Sequence, residues 1–102
     1  MASLVVLHKT PKDAKAFDEH YAAKHIPLAK AIPGVRKYEI STGPVVTPTG
    51  PSPYHLVATL TFDSLAAIQA AFASPQGMAA GADVQTFATG GADLILFESR
   101  EA

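Results

Sequence analysis

The sequence predicts one α+β domain whose elements follow the order strand, helix, strand, strand, helix, strand. The length of 102 residues allows one hydrophobic core, and we expect a single domain over residues 1–102. Four short segments have the continuous or alternating apolar pattern of strands, and two longer segments have apolar residues at helical spacing. Prolines and glycines separate most of these segments, as turns require.

The first predicted strand is the valine-rich run Leu4 to Leu7, which is typical of a strand buried on both faces. The first helix is predicted to begin near Pro11, because Thr10 is a good N-cap and proline suits the first helical position. It should run to about Ala31, since Pro33-Gly34 then breaks it.

This helix contains the stretch Phe17 to Leu28, which holds two of the four histidines. Four of its residues fall on one stripe: Phe17, Tyr21, Lys24 and Leu28. At about 100° per residue, His20 and His25 should lie roughly 140° apart, on opposite shoulders of that stripe. Pro27 lacks a backbone donor, so we expect the helix to kink or stop close to His25.

The middle of the chain predicts two strands joined by a long loop. Val35 to Ser41 alternates as a strand does, and Tyr54 to Phe62 alternates even more regularly. Between them, residues 42–53 contain four prolines and two glycines, which argues against any regular element there. We expect a solvated hairpin tip, with a mobile lid as the alternative.

The last third predicts a helix in two parts and a final strand. Asp63-Ser64 caps the first part, and Ser74-Pro75 restarts the helix, which should end near Ala88. Its expected apolar face has six members: Leu65, Ile68, Phe72, Met78, Ala82 and Phe87. Ala92 to Glu98 is expected to be a strand that is buried at Leu94 to Phe97.

This order is that of the ferredoxin-like, split β-α-β fold, with a four-stranded antiparallel sheet and both helices on one face. The strands also carry apolar residues on the other face, which must be covered. A second copy of the chain is the simplest cover, so we predict a homodimer.

The composition excludes several kinds of partner and site. A net charge of -1 without any Lys/Arg run argues against nucleic acid and anionic membranes as partners. The absence of cysteine excludes disulfides and thiolate chemistry. No apolar run approaches the ~20 residues of a membrane span, and the first residues lack signal-peptide features, so we expect a cytoplasmic protein.

Several stretches together resemble one family. They are FDEHY at 17–21, HIPL at 25–28, PGVRKY at 33–38, YHLVA at 54–58, FDSL at 62–65, SPQG at 74–77 and AD at 82–83. In order and spacing this series resembles the EthD family, named after a component of an ethyl tert-butyl ether degradation system. The resemblance covers nearly the entire chain.

The resemblance implies a dimeric α+β barrel, in which two four-stranded sheets face each other and a small-molecule pocket lies between sheet and helices in each subunit. Proteins with this barrel include cofactor-free monooxygenases, lactone isomerases, haem-dependent aldoxime dehydratases, and cyclases or dehydratases of polyketide pathways. Because one fold carries many reactions, the resemblance does not settle the activity.

His25 is the first candidate for chemistry, because an imidazole with a pKa of about 6.5 exchanges protons at neutral pH. The alternative is a structural histidine bound to a backbone carbonyl that Pro27 leaves free. Tyr21, one turn earlier, is a candidate for orienting a substrate oxygen; alternatively it is a core residue. We expect six further residues at the substrate: Phe17, His20, Leu28, Tyr38, Phe62 and Asp83.

Asp83 and Glu39 are the candidate carboxylates for orienting His25. His8 and His55 are expected to be structural, with His55 facing the barrel interior or the dimer interface. Two histidines that chelate a metal from one helix need a spacing of four, whereas His20 and His25 are five apart, so we predict no metal site. Haem needs only one histidine and is not excluded by spacing, but nothing else in the sequence indicates it.

These observations predict a small enzyme that works without a cofactor on an apolar or aromatic, oxygenated small molecule, with His25 as acid or base. The alternative is a non-catalytic, dimeric accessory or ligand-binding protein of a degradation pathway.

Overall fold

The computed structural model describes residues 1–102 and contains one four-stranded antiparallel sheet with the strand order β2-β5-β1-β6. The elements are β1 (Ala2–Lys9), α1 (Ala14–His20), a π-helical turn (Tyr21–His25), α2 (Ile26–Lys30), β2 (Lys37–Ile40), β3 (Val46–Thr47), β4 (Gly50–Pro51), β5 (Tyr54–Phe62), α3 (Leu65–Ala73), α4 (Pro75–Phe87) and β6 (Ala92–Glu98). The predicted ferredoxin-like fold is confirmed. No helix combines the length and the hydropathy needed to cross a membrane.

The core lies between the helices and one face of the sheet. Strand pairing sets that face: Leu4 of β1 stands opposite Leu60 of β5 and Leu96 of β6, and Val6 stands opposite Ala58 and Leu94. Successive side chains of a strand point to opposite faces, so these residues share one side. The buried residues of β1 and β5 all point to it: Ala2, Leu4, Val6, His8, Leu56, Ala58, Leu60 and Phe62.

The other face of the sheet is open in a single chain. The expectation that β1 is buried on both faces is wrong for this chain, because its alternate residues, including Val5 and Leu7, are only half-buried. β6 was expected to be buried, yet its residues from Leu94 to Phe97 are 39–49% exposed. The reason is that β6 is an edge strand with one neighbouring strand, and the helices cover it only in part.

The first helix begins three residues later than the sequence predicts. The side chain of Asp13 accepts a hydrogen bond from the backbone N–H of Ala16 at 3.0 Å, so Asp13 is the N-cap and not Thr10. Aspartate is the stronger N-cap of the two. Thr10 instead donates through Oγ1 to the carbonyl of Pro53 at 3.3 Å.

Two further expectations are corrected. The loop over residues 42–53 is not wholly irregular, because β3 and β4 form a small hairpin in which Val46 pairs with Pro51. On α4, the buried residues are Gly77, Ala80 and Phe87, whereas Met78 is 59% exposed and Ala82 is also exposed. α4 turns this side inward because it packs tightly against the end of α3.

Gly77 makes that packing possible. A Cβ atom at Gly77 would lie 1.8 Å from the carbonyl oxygen of Ala71, whereas a Cβ atom at Gly81 would meet nothing within 4 Å. The two glycines therefore have different roles in the same helix.

We expect Gly77→Ala to destabilise the fold by about 2 kcal/mol, because the α3–α4 junction must shift to make room. Gly81→Ala should stabilise it by up to about 1 kcal/mol, because alanine favours helix and here meets no obstacle. Urea unfolding of both variants tests this pair of opposite effects. Equal effects of the two substitutions would contradict the described α3–α4 packing.

Candidate functional site

The site is organised by the π turn between α1 and α2. The backbone N–H of Ile26 donates to the carbonyl of Tyr21, five residues earlier. A π turn holds more residues than an α turn, so side chains five apart come to one side, as those four apart do in an α-helix. The helix does not stop at Pro27 but continues to Lys30. The irregular turn lies before the proline, where a backbone donor is missing.

Because of this turn, His20 and His25 converge on one carboxylate. Nε2 of His20 lies 2.8 Å from Oδ1 of Asp83, and Nδ1 of His25 lies 2.9 Å from Oδ2 of the same residue. The expectation that the two histidines lie on opposite shoulders is therefore wrong, since it assumed a regular α-helix. No group of three or more His, Asp or Glu side chains is arranged to hold a metal ion.

The charges in this cluster determine which nitrogen of His25 carries a proton. Partial burial raises the pKa of Asp83, but the hydrogen bonds from His25 and His20 outweigh it and leave the pKa below its usual value. Asp83 is thus an ionised carboxylate at neutral pH and can only accept hydrogen bonds. Burial lowers the pKa of His25, and the opposing effect of Asp83 offsets this only in part. His25 is therefore neutral, with a proton on Nδ1 and a lone pair on Nε2.

A pair of tyrosines stands next to this cluster, with Tyr21 beside His25 and Tyr38 bound to Tyr21. The hydroxyls of Tyr21 and Tyr38 are hydrogen-bonded to each other. Burial raises the pKa of both phenols, and for Tyr21 the hydrogen bond to Tyr38 raises it further. Both side chains stay protonated at physiological pH and act as hydrogen-bond donors. The ring centroid of Tyr21 lies 5.1 Å from that of His25.

A cavity of about 80 Å³ lies between the sheet and the helices, next to this cluster. Sixteen residues line it, and none of them is Lys, Arg, Asp or Glu. Four residues contribute its polar side chains: His8, Tyr21, His25 and Tyr38. The remaining wall is apolar and comes from β1, β5, β6 and the helices.

The other residues predicted for the site are not part of the cavity wall. Phe17 and Phe62 lie in the hydrophobic core, and Leu28 packs against that core. His20 and Asp83 do not line the cavity. Asp83 contacts His25, which does line it, and His20 contacts Asp83.

Of the two candidate carboxylates, Asp83 contacts His25, whereas Glu39 lies 3.6 Å from Nζ of Lys37. The alternation of β2 explains this, because Tyr38 points to the helices and Glu39 to the opposite face.

The sequence suggested that His55 faces the barrel interior or the dimer interface. In the structure His55 faces α1 instead. The pairing of β1 with β5 is irregular between His8 and Lys9, which leaves His55 without an opposite residue. Such a bulge redirects a side chain. Nε2 of His55 lies 2.7 Å from Oδ1 of Asp18, on α1.

Sequence reasoning underestimated His8, which is only 1% exposed. Its ring centroid lies within 6 Å of three aromatic rings: Phe17, Tyr21 and Phe87. The pKa of His8 is lowered from 6.5 to about 4, mainly by burial and in smaller part by the nearby His25 and His55. The signal was present in the sequence, since His8 continues the buried alternation of Leu4 and Val6.

This buried, neutral histidine predicts acid sensitivity. The unfolded chain protonates His8 near pH 6.5, but the folded chain does so only near pH 4. Stability should therefore be lost as the pH falls through this window, by about 3 kcal/mol from His8 alone. His8→Leu should be as stable as the wild type at pH 7 and lose less stability at pH 4. Urea unfolding between pH 7 and 4 tests this, and identical pH profiles would contradict it.

Comparison with known proteins places the chain among relatives of similar size. The EthD domain matches residues 9–91. An uncharacterised 11.0 kDa protein of Rhodococcus erythropolis, encoded in the thcB-thcC intergenic region, is 41% identical over 95 residues, which are 93% of this chain and 91% of the relative.

Three solved structures are also similar. The crystal structure of an ethyl tert-butyl ether degradation (EthD) family protein from Bacillus halodurans has a TM-score of 0.90 at 34% identity and covers 98% of this chain and 99% of its own. SnoaB, a cofactor-independent oxygenase from Streptomyces nogalater, has a TM-score of 0.69 at 14% identity, with 99% and 94% covered. A dimeric protein of unknown function with a ferredoxin-like fold, from Bacteroides fragilis, has a TM-score of 0.60 at 20% identity, with 96% and 95% covered. The domain match and the identity to its relatives show that this chain belongs to the EthD family.

Proposed function

We propose that the chain is a small enzyme that moves a proton on an apolar or aromatic, oxygenated small molecule, without a cofactor. One observation carries this proposal: His25 is neutral and buried, its Nδ1 is bound by Asp83, and the residue lines the cavity. Nε2 has no partner in the chain and is therefore the free base. The arrangement of carboxylate, imidazole and cavity is what general acid–base catalysis requires.

The proposed reaction begins when Nε2 of His25 removes a proton from a carbon next to a carbonyl group. The electron pair of the broken C–H bond moves to the substrate oxygen. The Tyr21–Tyr38 pair donates a hydrogen bond to that oxygen, where negative charge develops. The protonated His25 then returns the proton.

The place to which the proton returns distinguishes the reactions that this site supports. Return to a different carbon is an isomerisation, and return to a departing hydroxyl group, which leaves as water, is a dehydration. Attack of the carbanion on a second carbonyl closes a ring. A monooxygenase reaction on the same anion needs dioxygen as co-substrate. The likeness to the oxygenase from Streptomyces nogalater supports the fold only, since the identity is 14%.

Asp83 acts as a positioning residue in this scheme. It holds the proton of His25 on Nδ1 and thus keeps the lone pair on the nitrogen that faces the cavity. His20 binds the other carboxylate oxygen, so the carboxylate cannot rotate away without breaking a second hydrogen bond.

We propose further that the enzyme is a homodimer in which the open faces of two sheets pack together as an α+β barrel. The face opposite the core carries these residues: Ser3, Val5, Leu7, Val57, Thr59, Thr61, Ile95 and Phe97. Ile95 and Phe97 are 49% and 43% exposed in a single chain, which is unusual for large apolar residues in such a row.

A non-catalytic ligand-binding or accessory role is the second candidate. The observation in its favour is the size of the cavity, because about 80 Å³ is small beside the ~300–1,000 Å³ of most ligand pockets. Under this alternative, a ligand binds at the mouth of the cavity and no bond to hydrogen is broken.

Proton transfer can be measured before the natural substrate is known. We expect the wild type to accelerate the exchange of the benzylic hydrogens of phenylacetone in D2O above the buffer rate, as followed by proton NMR. His25→Gln should lower this enzyme-dependent rate by about 100-fold or more, because it removes the base.

His55→Gln is the matched control, since His55 is also paired with an aspartate but lies outside the cavity. It should exchange phenylacetone at the wild-type rate. Binding of phenylacetone without any acceleration would contradict the enzyme proposal and favour the accessory role. An unchanged rate in His25→Gln would contradict the assignment of the base.

The dimer proposal predicts that the wild type sediments at twice the mass of the 10.6 kDa chain at micromolar concentration. Ile95→Lys places a charge in the proposed interface and should produce monomers. Met78→Lys is the control, because Met78 is exposed on α4, away from the sheet. A wild-type monomer, or a dimer that survives Ile95→Lys, would refute this interface.

A further inference from the structure

We propose that His8 is a second polar anchor of the cavity, which binds a hydroxyl group of the ligand through Nε2. We infer from this that the ligand is an uncharged molecule with an apolar body and two oxygen functions. This inference rests on the proposed function in one respect only, which is that the same cavity receives the ligand.

The first argument is that the imidazole of His8 has no hydrogen-bond partner within the chain. Nδ1 is fully buried and unpaired, and among all buried side-chain nitrogens and oxygens it alone has this property. Unpaired buried polar groups are rare in folded proteins, so this imidazole is an unusual group for a core position. The enclosed Nδ1 is out of reach of a ligand, whereas Nε2 also lacks a partner and is not among the enclosed atoms, so Nε2 is the nitrogen that a ligand can reach.

The second argument concerns where Nε2 is accessible. Three aromatic rings surround the imidazole, and the cavity is the one place where His8 reaches open space. A hydroxyl group both donates and accepts, so it can pair with Nε2 in either tautomer of the neutral ring. A carbonyl oxygen or an ammonium group fits only one of them.

The third argument is the distance between His8 and the tyrosine pair. The hydroxyl of Tyr21 pairs with that of Tyr38, and the ring centroid of Tyr21 lies 5.8 Å from that of His8. The tyrosine pair and His8 are therefore neighbouring but separate polar groups of the cavity wall. A ligand that pairs with a tyrosine hydroxyl and with Nε2 of His8 through different oxygens carries two oxygen functions.

The fourth argument is the absence of charge. The cavity wall has no Lys, Arg, Asp or Glu, and its tyrosines are protonated at neutral pH. Burial keeps the pKa of His8 near 4, so this ring is neutral as well. A carboxylate or an ammonium group would lose its hydration here without gaining an opposite charge. The cavity therefore selects against acids and amines.

Three phenols of similar size separate these requirements. The first, 4-(hydroxymethyl)phenol, has a second hydroxyl group. In 4-ethylphenol a methyl group replaces that hydroxyl. In 4-hydroxybenzoate a charged carboxylate replaces the whole hydroxymethyl group. Dissociation constants can be measured by NMR titration of the wild type and of three variants, His8→Leu, His8→Gln and the control His55→Leu. Amide spectra of each variant report whether it is folded.

We expect His8→Leu to weaken the binding of 4-(hydroxymethyl)phenol about tenfold while changing that of 4-ethylphenol less than twofold. His8→Gln should recover part of the loss, because its amide can also pair with a hydroxyl. His55→Leu should bind all three phenols as the wild type does. In the wild type, 4-hydroxybenzoate should bind at least tenfold more weakly than the neutral diol.

One readout does not depend on any variant. The ¹⁵N resonance of Nε2 of His8 should shift when 4-(hydroxymethyl)phenol binds and should stay in place with 4-ethylphenol. Equal losses for both neutral phenols in His8→Leu would show a packing role only and overturn the inference. Tight binding of 4-hydroxybenzoate would overturn the neutral ligand class.

The two proposals fail in different ways. If deuterium exchange depends on His25 but the phenols do not distinguish His8 variants, the enzyme proposal stands and the anchor is refuted. If His8 distinguishes the phenols but no exchange occurs, the cavity is a binding site without the proposed chemistry. If no phenol perturbs the cavity of the wild type, the anchor is refuted.

Discussion

The carboxylate of Asp83 is the contact on which the arrangement of the site depends. It joins α4 to His20 at the end of α1, at 2.8 Å, and to His25 at the end of the π turn, at 2.9 Å. Neither helix alone could position His25, because the π turn directs the ring and α4 supplies the group that fixes its tautomer. The packing of α4 in turn relies on Gly77, which lets the helix approach the end of α3. The absence of a side chain at Gly77 thus helps α4 to hold Asp83 next to His25.

Phe87 connects this cluster to the core. Its ring centroid lies within 6 Å of five other rings: His8, Phe17, His20, Tyr21 and His25. Three of the four histidines of the chain therefore share one aromatic neighbour. The shared low-polarity surroundings explain why burial is the largest influence on the pKa of both His8 and His25. Of these two histidines, His25 has a carboxylate nearby, which partly offsets the lowering of its pKa, whereas His8 has none.

The fold was predictable from the sequence because each strand of the main sheet and each helix had its own apolar run or periodic pattern, and β5 was predicted residue for residue. The site was predictable only in part. His25, Tyr21, Tyr38 and Asp83 were all singled out, but their contacts depend on the π turn, which a fixed angle of about 100° per residue cannot represent.

The helix start and the position of His55 failed for similar local reasons. Thr10 is a suitable N-cap residue, but Asp13 is also suitable and caps the helix in the structure. Regular strand alternation does not give the direction of His55, because a bulge interrupts the pairing of β1 and β5 at this residue. β6 shows a different limit, since its apolar sequence describes a buried strand and a single chain leaves that strand uncovered.

Burial lowers the pKa of His25 and Asp83 raises it. The two effects together suit acid–base catalysis better than either would alone. Burial without Asp83 would lower the pKa of the imidazole so far that it would be a weak base, as the unpaired His8 illustrates with its pKa of about 4. A carboxylate without burial would raise the pKa and leave the ring protonated at neutral pH, where it has no lone pair to offer. With both, the pKa of His25 is still lowered and the ring is neutral at pH 7, while the contact with Asp83 opposes that lowering. Under the two proposals, this difference in surroundings gives His25 the role of proton acceptor and His8 the role of a neutral ring that binds the ligand.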